Sequence, residues 1–138
     1  IDFRAVIEGY SHREEGCMFC AMEADRVLLE NALALAFVDR FPVTEGHTLV
    51  IPKRHVESYF ELGRPEVNAC NELLEATRTK LEKDDPTVTG FNIGVNAGTS
   101  AGQTIPHCHI HLIPRRDGDV ATPEGGVRHV IPGKGYYF

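Results

Sequence analysis

The residues most suited to chemistry are three histidines that alternate with other residues near the end of the chain. They lie in the segment His107-Cys-His-Ile-His-Leu-Ile113. Alternate side chains of a β-strand point to opposite faces, so this spacing predicts three imidazoles on one face, roughly 6–7 Å apart. Imidazole titrates near neutral pH and can act as a nucleophile, an acid or a base. The segment therefore predicts a catalytic strand, with His107, His109 and His111 as candidate catalytic residues.

Two other interpretations of this strand stay open. One is a solvent-facing strand whose histidines have no function. The other is a metal site built from the triplet, because hydrolytic zinc sites use His-x-His pairs together with a further ligand and a nearby carboxylate. No Asp or Glu lies between residues 107 and 113, which weakens the metal site without excluding it.

The loop that precedes the histidines has the composition of a phosphate-binding loop. It reads Asn96-Ala-Gly-Thr-Ser-Ala-Gly-Gln-Thr104. Small residues let backbone N–H groups approach an anion closely, and the side chains of Asn96, Gln103 and Thr104 add neutral hydrogen-bond donors. Such a loop alone is most often a plain turn. Placed next to three aligned histidines, it indicates phosphoryl or nucleotidyl transfer.

Two cysteines near the start of the chain, Cys17 and Cys20, have the C-x-x-C spacing of a zinc half-site. A redox role would need this motif at a helix start in a βαβ unit, which the sequence does not predict. A free thiol pair is the alternative. Cys70 and Cys108 lie in apolar patterns and are predicted to be small core residues. Since no secretory signal and no apolar run of about 20 residues is visible, we expect a cytoplasmic protein with no membrane partner.

The elements that must position these residues follow from the hydrophobic periodicity. Apolar positions at three- and four-residue spacing predict one long helix over residues 65–83, with Pro65 in its first turn. Short apolar runs predict strands over residues 27–30, 33–38, 48–51, 91–95 and 107–113, and a short helical turn over 57–62. The order β-β-β-α-β-β predicts an α+β domain with a mostly antiparallel sheet.

The length of 138 residues predicts a single domain over residues 1–138, with an irregular N-terminal arm (1–16) and an extended C-terminal extension (115–138). The net charge of −6 counts against a protein that coats nucleic acid or an anionic membrane. Residues 91–138 are the only third of the chain with a positive balance, with four basic and three acidic residues. This is the third that carries the histidines.

Longer segments around these motifs resemble the histidine triad (HIT) family. Gly102–Arg115 is similar to the family signature His-φ-His-φ-His-φ-φ, in which φ is apolar. Leu35–His55 resembles the nucleoside-binding half of the family, and Phe91–Gly98 also fits. The resemblance implies a HIT-like fold with a five-stranded, mostly antiparallel sheet, one long and one short helix, and a homodimer formed through sheet and helix.

The resemblance also implies a nucleotide hydrolase that works through a nucleotidyl-histidine intermediate. His109 matches the nucleophile that attacks the α-phosphorus, and His111 matches a phosphate-contacting member of the triad. Asp39 matches the residue that binds the ribose hydroxyls. Further substrate-binding positions are His47, Asn96, Gln103 and Thr104 near the phosphates, and Phe37, Phe41 and Leu49 around the base. Ordinary core packing is the alternative for Phe37 and Leu49.

The prokaryotic, zinc-containing members of the family bear on the cysteine pair. The resemblance to them implies that Cys17, Cys20, His55 and His107 hold a structural Zn²⁺, which gives His107 a task separate from that of His109. A second cofactor expectation is Mg²⁺ accompanying the substrate. The remaining histidines, His12 and His129, match no family position and are predicted to be surface residues.

The choice of substrate rests on the residues that follow the triad. Leu112-Ile-Pro-Arg-Arg-Asp-Gly-Asp119 resembles the fragile-histidine-triad branch, which implies dinucleoside polyphosphates of the diadenosine type as substrates. The alternatives are an adenosine phosphoramidase-like HIT hydrolase and a non-catalytic nucleotide-binding protein. No nucleic acid partner is expected.

Overall fold

The computed structural model describes residues 9–137, which build one antiparallel sheet with a helix packed on one of its faces. The strands are β1 (Val27–Glu30), β2 (Ala34–Val38), β3 (Thr48–Pro52), β4 (Val88–Val95) and β5 (Ile110–Arg116), and the helix is α1 (Arg64–Asp84). The strand order is β1-β2-β3-β5-β4, and every neighbouring pair is antiparallel. The predicted α+β class and five-stranded antiparallel sheet are confirmed. The expected short helix is a 3₁₀ turn at Tyr59–Glu61.

The strand predicted to carry the three histidines differs most from its predicted bounds. β5 begins at Ile110, so that His107 and His109 lie in the extended segment just before it, and it continues through Pro114 to Arg116. β3 pairs with β5 only as far as Leu112, so Pro114 lies where β5 has a strand on one side only. Proline lacks an N–H group and is tolerated at such a position. The proline therefore lies inside β5, whereas the sequence predicts a strand that ends at residue 113.

Two hydrophobic clusters cover the two faces of the sheet. On one face, Ala69, Cys70 and Leu73 of α1 pack against small and branched residues of β2, β3 and β5. On the other face, Phe19 from the N-terminal arm packs against Phe37. Both faces of the central strand are therefore covered, and all five residues of β3 are buried. No helix among residues 9–137 is long and apolar enough to cross a membrane.

A buried ion pair joins the start of α1 to the end of β3. Arg54 donates to the Glu66 carboxylate from Nε at 3.0 Å and from Nη2 at 2.7 Å. The same carboxylate accepts the N–H of Gly63 at 2.9 Å, which caps the first turn of the helix. Glu66 is fully buried. A carboxylate in that position is stabilised only while its donors are present, because an isolated buried charge is costly.

The C-terminal extension does not form the extended arm that was predicted. It contains a 3₁₀ turn (Gly126–Val130), and His129 donates through Nε2 to the carbonyl of Glu124 at 2.8 Å. The ring of His129 lies 4.5 Å from that of Tyr136, and Gly135 lies so close to the His129 ring that a Cβ atom would collide with it. His129 is thus half-buried within the extension, which corrects its prediction as a surface residue.

We predict that Glu66→Gln lowers the free energy of unfolding by roughly 2–4 kcal/mol, because it removes the buried charge that Arg54 and the Gly63 N–H require. Urea unfolding followed by circular dichroism measures this loss. The matched control is Glu82→Gln, which removes the partner of Arg78 in an exposed pair on the same helix. That variant should leave the unfolding midpoint unchanged. Equal effects of the two variants would contradict the role assigned to the buried pair.

Candidate active site and metal-binding cluster

His107 is fully buried at the point where the N-terminal arm, β3 and the start of β5 meet. Its Nε2 lies 2.8 Å from the carbonyl oxygen of Pro52, and since a carbonyl can only accept, Nε2 carries the proton. Nδ1 is then unprotonated and lies 3.5 Å from the Sγ atoms of both Cys17 and Cys20. Burial lowers the pKa of His107 to about 4. The ring is therefore neutral at pH 7, as a metal ligand must be.

The sequence-predicted metal ligands all converge around this ring. Cys20 Sγ lies 3.4 Å from His55 Nδ1, and one ligand atom from each of Cys17, Cys20, His55 and His107 lies within 4.8 Å of the others. The backbone N–H of Cys20 donates to Cys17 Sγ at 3.4 Å, an arrangement that stabilises a thiolate. Two cysteine sulfurs and two imidazole nitrogens that converge on one point form the Cys₂His₂ donor set of a closed, tetrahedral zinc site, to which the cysteines would bind as thiolates. The cluster thus fits Zn²⁺ by its chemistry and its spacing.

His109 is oriented by the backbone of His107. Its Nδ1 lies 2.8 Å from the His107 carbonyl oxygen, so Nδ1 carries the proton and donates it in this hydrogen bond. The lone pair of the neutral ring is then on Nε2. The side chain is 7% exposed, so this orientation is held by packing as well as by the hydrogen bond. A fixed imidazole with a free lone pair is suited to nucleophilic attack.

His111 has the opposite tautomer, and a chain of hydrogen bonds sets it. The N–H of Val43 donates to Nδ1 of His47 at 3.1 Å, so the proton of His47 is on Nε2. That Nε2 lies 2.9 Å from Nδ1 of His111 and 3.5 Å from a carboxylate oxygen of Asp39. His111 therefore accepts at Nδ1 and carries its own proton on Nε2. Burial lowers the pKa of both His47 and His111, which keeps the two rings neutral.

The rings of His109 and His111 are neighbours in a cavity large enough for a nucleotide. Their centroids are 5.3 Å apart, and the cavity has a volume of about 660 Å³, within the range of small-molecule sites. Nearly all the predicted catalytic and substrate-binding residues line it: Asp39, His47, Asn96, Thr104, Phe37, Phe41, Leu49, His109 and His111. A lone pair on His109 and an N–H on His111 thus belong to the same cavity.

Three of the predicted site residues are not buried residues of the cavity wall: His107, Gln103 and Phe41. His107 does not line the cavity and belongs to the metal-binding cluster instead. Gln103 uses its amide to hold its own loop, because it accepts from the Gly98 N–H at 2.9 Å and donates at 2.8 Å to the carbonyl of Glu57, in the segment that follows β3. Phe41 is 80% exposed, so it stands apart from the buried Phe37 and Leu49 of the cavity wall.

Several cavity residues were not predicted from the sequence. Phe19 is 6% exposed, and its ring lies 5.3 Å from the rings of both Phe37 and His109. Met22 and Arg26 follow it along the chain and also line the cavity. These residues lie in and after the C-x-x-C motif and have no helical or strand periodicity. The one sequence signal for these cavity residues is the C-x-x-C motif, because a metal site formed with His55 and His107 would bring the residues next to the two cysteines close to the histidines.

Comparison with known proteins defines the family. Residues 22–118 match the HIT domain, and the chain belongs to the HIT family. It is 38% identical over 112 residues to "Protein hit" of Bacillus subtilis, covering 75% of this chain and 74% of that protein. It is 36% identical over 94 residues to the asymmetrical bis(5′-nucleosyl)-tetraphosphatase of Schizosaccharomyces pombe, covering 68% of this chain and 51% of that protein.

A second enzyme of Schizosaccharomyces pombe and a solved structure extend the comparison. Adenosine 5′-monophosphoramidase is 34% identical over 103 residues, with coverage of 72% of this chain and 74% of that protein. The crystal structure of a Zn-bound histidine triad family protein from Mycobacterium smegmatis superposes with a TM-score of 0.69 at 33% identity, covering 78% of this chain and 80% of that one. Hydrolases of nucleotides thus occur among the relatives, as does a zinc-bound protein.

We predict that His47 and His111 each titrate below the ordinary imidazole pKa of about 6.5, because burial lowers the pKa of both rings. Below that value the unfolded chain binds protons that the native rings do not, so their burial lowers stability as the pH falls. NMR titration of the ring Cε1 protons measures the two pKa values, with His47→Gln and His111→Asn providing the assignments. A pKa above 6.5 for either ring would contradict the hydrogen-bond chain.

Proposed function

We propose that this protein hydrolyses dinucleoside polyphosphates of the diadenosine type at the α-phosphate. The observation that carries the proposal is the pair of complementary tautomers in one cavity: a lone pair on Nε2 of His109 beside an N–H on Nε2 of His111. A nucleophile and a hydrogen-bond donor so arranged suit attack on a phosphorus whose oxygens need stabilisation.

The reaction proceeds in two displacements. His109 Nε2 forms a bond to the α-phosphorus while the bond from that phosphorus to the bridging oxygen breaks, and the remaining nucleoside polyphosphate departs with the bonding pair. The oxygen of a water molecule then bonds to the same phosphorus, the P–N bond breaks with its electron pair returning to His109 Nε2, and one water proton passes to solvent as the nucleoside monophosphate is released. The His107 carbonyl stabilises the positive charge that the His109 ring carries while it is bonded to phosphorus. His111 donates its Nε2–H to a phosphate oxygen in both displacements.

The substrate is held by few charges and many neutral donors. The Asp39 carboxylate, which also accepts the Phe41 N–H at 2.8 Å, binds the ribose hydroxyls. Asn96 and Thr104 donate to the phosphates from the small-residue loop. Phe37 and Leu49 form the apolar wall for the base. Gln103 acts by bracing this loop, because its amide is already bonded to the Gly98 N–H and to the carbonyls of Glu57 and Ile105.

Two relatives and the residues after the triad bear on which group leaves the α-phosphorus. The tetraphosphatase of Schizosaccharomyces pombe supports a dinucleoside polyphosphate, and the Pro114-Arg115 sequence after the triad supports the same branch. The phosphoramidase of that organism supports the second candidate, an adenosine phosphoramidase activity at the same nucleophile. Assay of diadenosine tetraphosphate beside adenosine 5′-phosphoramidate, with and without Mg²⁺, decides between them.

The protein also has the residues to bind structural zinc at the Cys17, Cys20, His55 and His107 cluster, and the zinc-bound relative supports this role. Bound there, zinc would pin the N-terminal arm to the segment that carries His109. No oxygen-rich cation site supports Mg²⁺ among residues 9–137. The other candidate group in that range, Asp39 with His47 and His111, has nitrogen as its majority donor.

Association into a homodimer through β4 belongs to the same proposal. β4 lies at one edge of the sheet, and its eight residues include no charged side chain and no proline that would protect the edge. Ile93 in the middle of this strand is 53% exposed. Antiparallel pairing of two copies along this edge would cover it and join the two sheets.

We predict that His109→Ala lowers kcat/KM for diadenosine tetraphosphate by at least about 10³-fold, because no other ring in the cavity combines its position with a free lone pair. Product release is measured by chromatography, and AMP affinity by calorimetry. The affinity should change little, since Asp39 and the loop remain. His12→Gln, an exposed histidine outside the cavity, is the matched control and should retain full turnover. Undiminished turnover by His109→Ala would contradict the nucleophile assignment.

We predict that the purified protein contains about one zinc per chain and that Cys20→Ser loses most of it, because the thiolate is one of four ligands. Inductively coupled plasma mass spectrometry measures the metal content. Cys70→Ala is the matched control, since Cys70 lies on the buried face of α1, outside the Cys17, Cys20, His55 and His107 cluster, and this variant should keep its zinc. Zinc-free wild-type protein with an unchanged unfolding midpoint would contradict the structural role of the metal.

A further inference from the structure

The C-x-x-C segment contributes side chains both to the metal-binding cluster and to the wall of the nucleotide cavity. The Sγ atoms of Cys17 and Cys20 each lie 3.5 Å from Nδ1 of His107, within the cluster. Met18 and Phe19, the two residues between these cysteines, line the cavity. Four consecutive residues therefore take part in two different sites.

The ring of Phe19 contacts both sites. Phe19 is 6% exposed, and its ring centroid lies 5.8 Å from that of His107 in the cluster. The same centroid lies 5.3 Å from those of His109 and Phe37, which line the cavity. The two contacts with imidazoles are edge-on, with interplanar angles of 81° and 76°, which is a favourable arrangement of aromatic rings. A displacement of this ring would therefore change both the cavity wall and the packing of His109.

The segment that carries Phe19 is irregular. Residues 11–23 contain no helix and no strand. The His12 carbonyl accepts the His55 N–H at 2.7 Å, which joins the start of this segment to the chain beside the cluster. Further along, the two cysteine sulfurs anchor the segment at the cluster, and the Phe19 ring anchors it at the cavity. Because ordering a chain costs conformational entropy, a ligand at either anchor reduces the entropy that a ligand at the other must remove.

We propose that zinc at the cluster and a nucleotide in the cavity strengthen each other's binding, and that the Phe19 ring carries this coupling. Zinc bound at the cluster would hold the ring against its neighbours in the cavity before a nucleotide enters. A nucleotide packed against the same wall would in turn hold the two cysteines in place for the metal. The two effects must be equal in size, because coupling between two binding sites is reciprocal. This proposal rests on the nucleotide-binding and zinc-binding parts of the proposed function and requires no turnover.

Competition for zinc between the zinc-loaded wild-type protein and a colorimetric chelator tests the coupling. The equilibrium zinc affinity is measured without AMP and with saturating AMP, and we expect it to be about tenfold higher with AMP, as is usual for coupled sites. Calorimetry then measures the AMP affinity of zinc-loaded and zinc-depleted protein, in which the same factor should appear. Circular dichroism establishes whether the depleted protein is folded. If it is not, the comparison of variants below decides, because it starts from folded, zinc-loaded protein.

Phe19→Leu separates the coupling from a merely structural role. Leucine keeps an apolar side chain but removes the ring that contacts both His107 and His109. With AMP at the same multiple of each variant's Kd, the coupling factor should fall from about tenfold to less than about twofold. A residue needed only for stability would weaken both ligands and leave the factor unchanged. Phe60→Leu, at a phenylalanine that is 83% exposed, is the matched control and should keep the full factor.

A zinc affinity that is the same with and without bound AMP, or a coupling factor that persists in Phe19→Leu, would overturn the proposal. Either result is compatible with normal hydrolysis of diadenosine tetraphosphate and would leave the proposed reaction standing. The full factor in a protein that hydrolyses no nucleotide would instead support the coupling and contradict the reaction. Failure of AMP or of zinc to bind would overturn the coupling together with the corresponding part of the proposed function.

Discussion

One residue, His107, links the metal-binding cluster to the nucleophile. Its ring has a proton on Nε2 that is committed to the Pro52 carbonyl and a bare Nδ1 that faces the two cysteines. Its own carbonyl accepts the Nδ1 proton of His109 and so leaves the lone pair of that ring on Nε2. The N-terminal arm, the end of β3 and the catalytic segment all depend on this one position. A change in the cluster would therefore alter the orientation of His109, the proposed nucleophile, even though His107 does not line the cavity.

The neutral imidazoles of His47 and His111 explain how a chain with a negative net charge would bind the phosphates of the proposed substrate. The net charge is −6, yet burial lowers the pKa of His47 and His111. The Val43 N–H sets the tautomer of His47, and His47 in turn sets the tautomer of His111. Binding then depends on oriented N–H groups more than on a positive surface.

The parts of this structure that could be predicted from the sequence are those that follow from local patterns. Short apolar runs predicted the strands, and the spacing of Cys70 and Leu73 predicted the buried face of α1. The C-x-x-C motif predicted a zinc half-site, to which the family resemblance added His55 and His107. The position of Phe19 between Phe37 and His109 could not be predicted, because it depends on how an irregular arm folds across the sheet. The tautomers could not be predicted either, since they depend on long-range contacts such as that between the Val43 N–H and His47.

The central claim is that Nε2 of His109 becomes covalently bonded to phosphorus during turnover. Alkaline quenching of the wild-type enzyme during hydrolysis of diadenosine tetraphosphate, followed by proteolysis and tandem mass spectrometry, tests it directly, because a P–N bond to imidazole survives in alkali. The account predicts one nucleoside monophosphate on the peptide at His109 and none on His47 or His111. An adduct on either of those rings, or rapid turnover with no adduct at any time point, would contradict it.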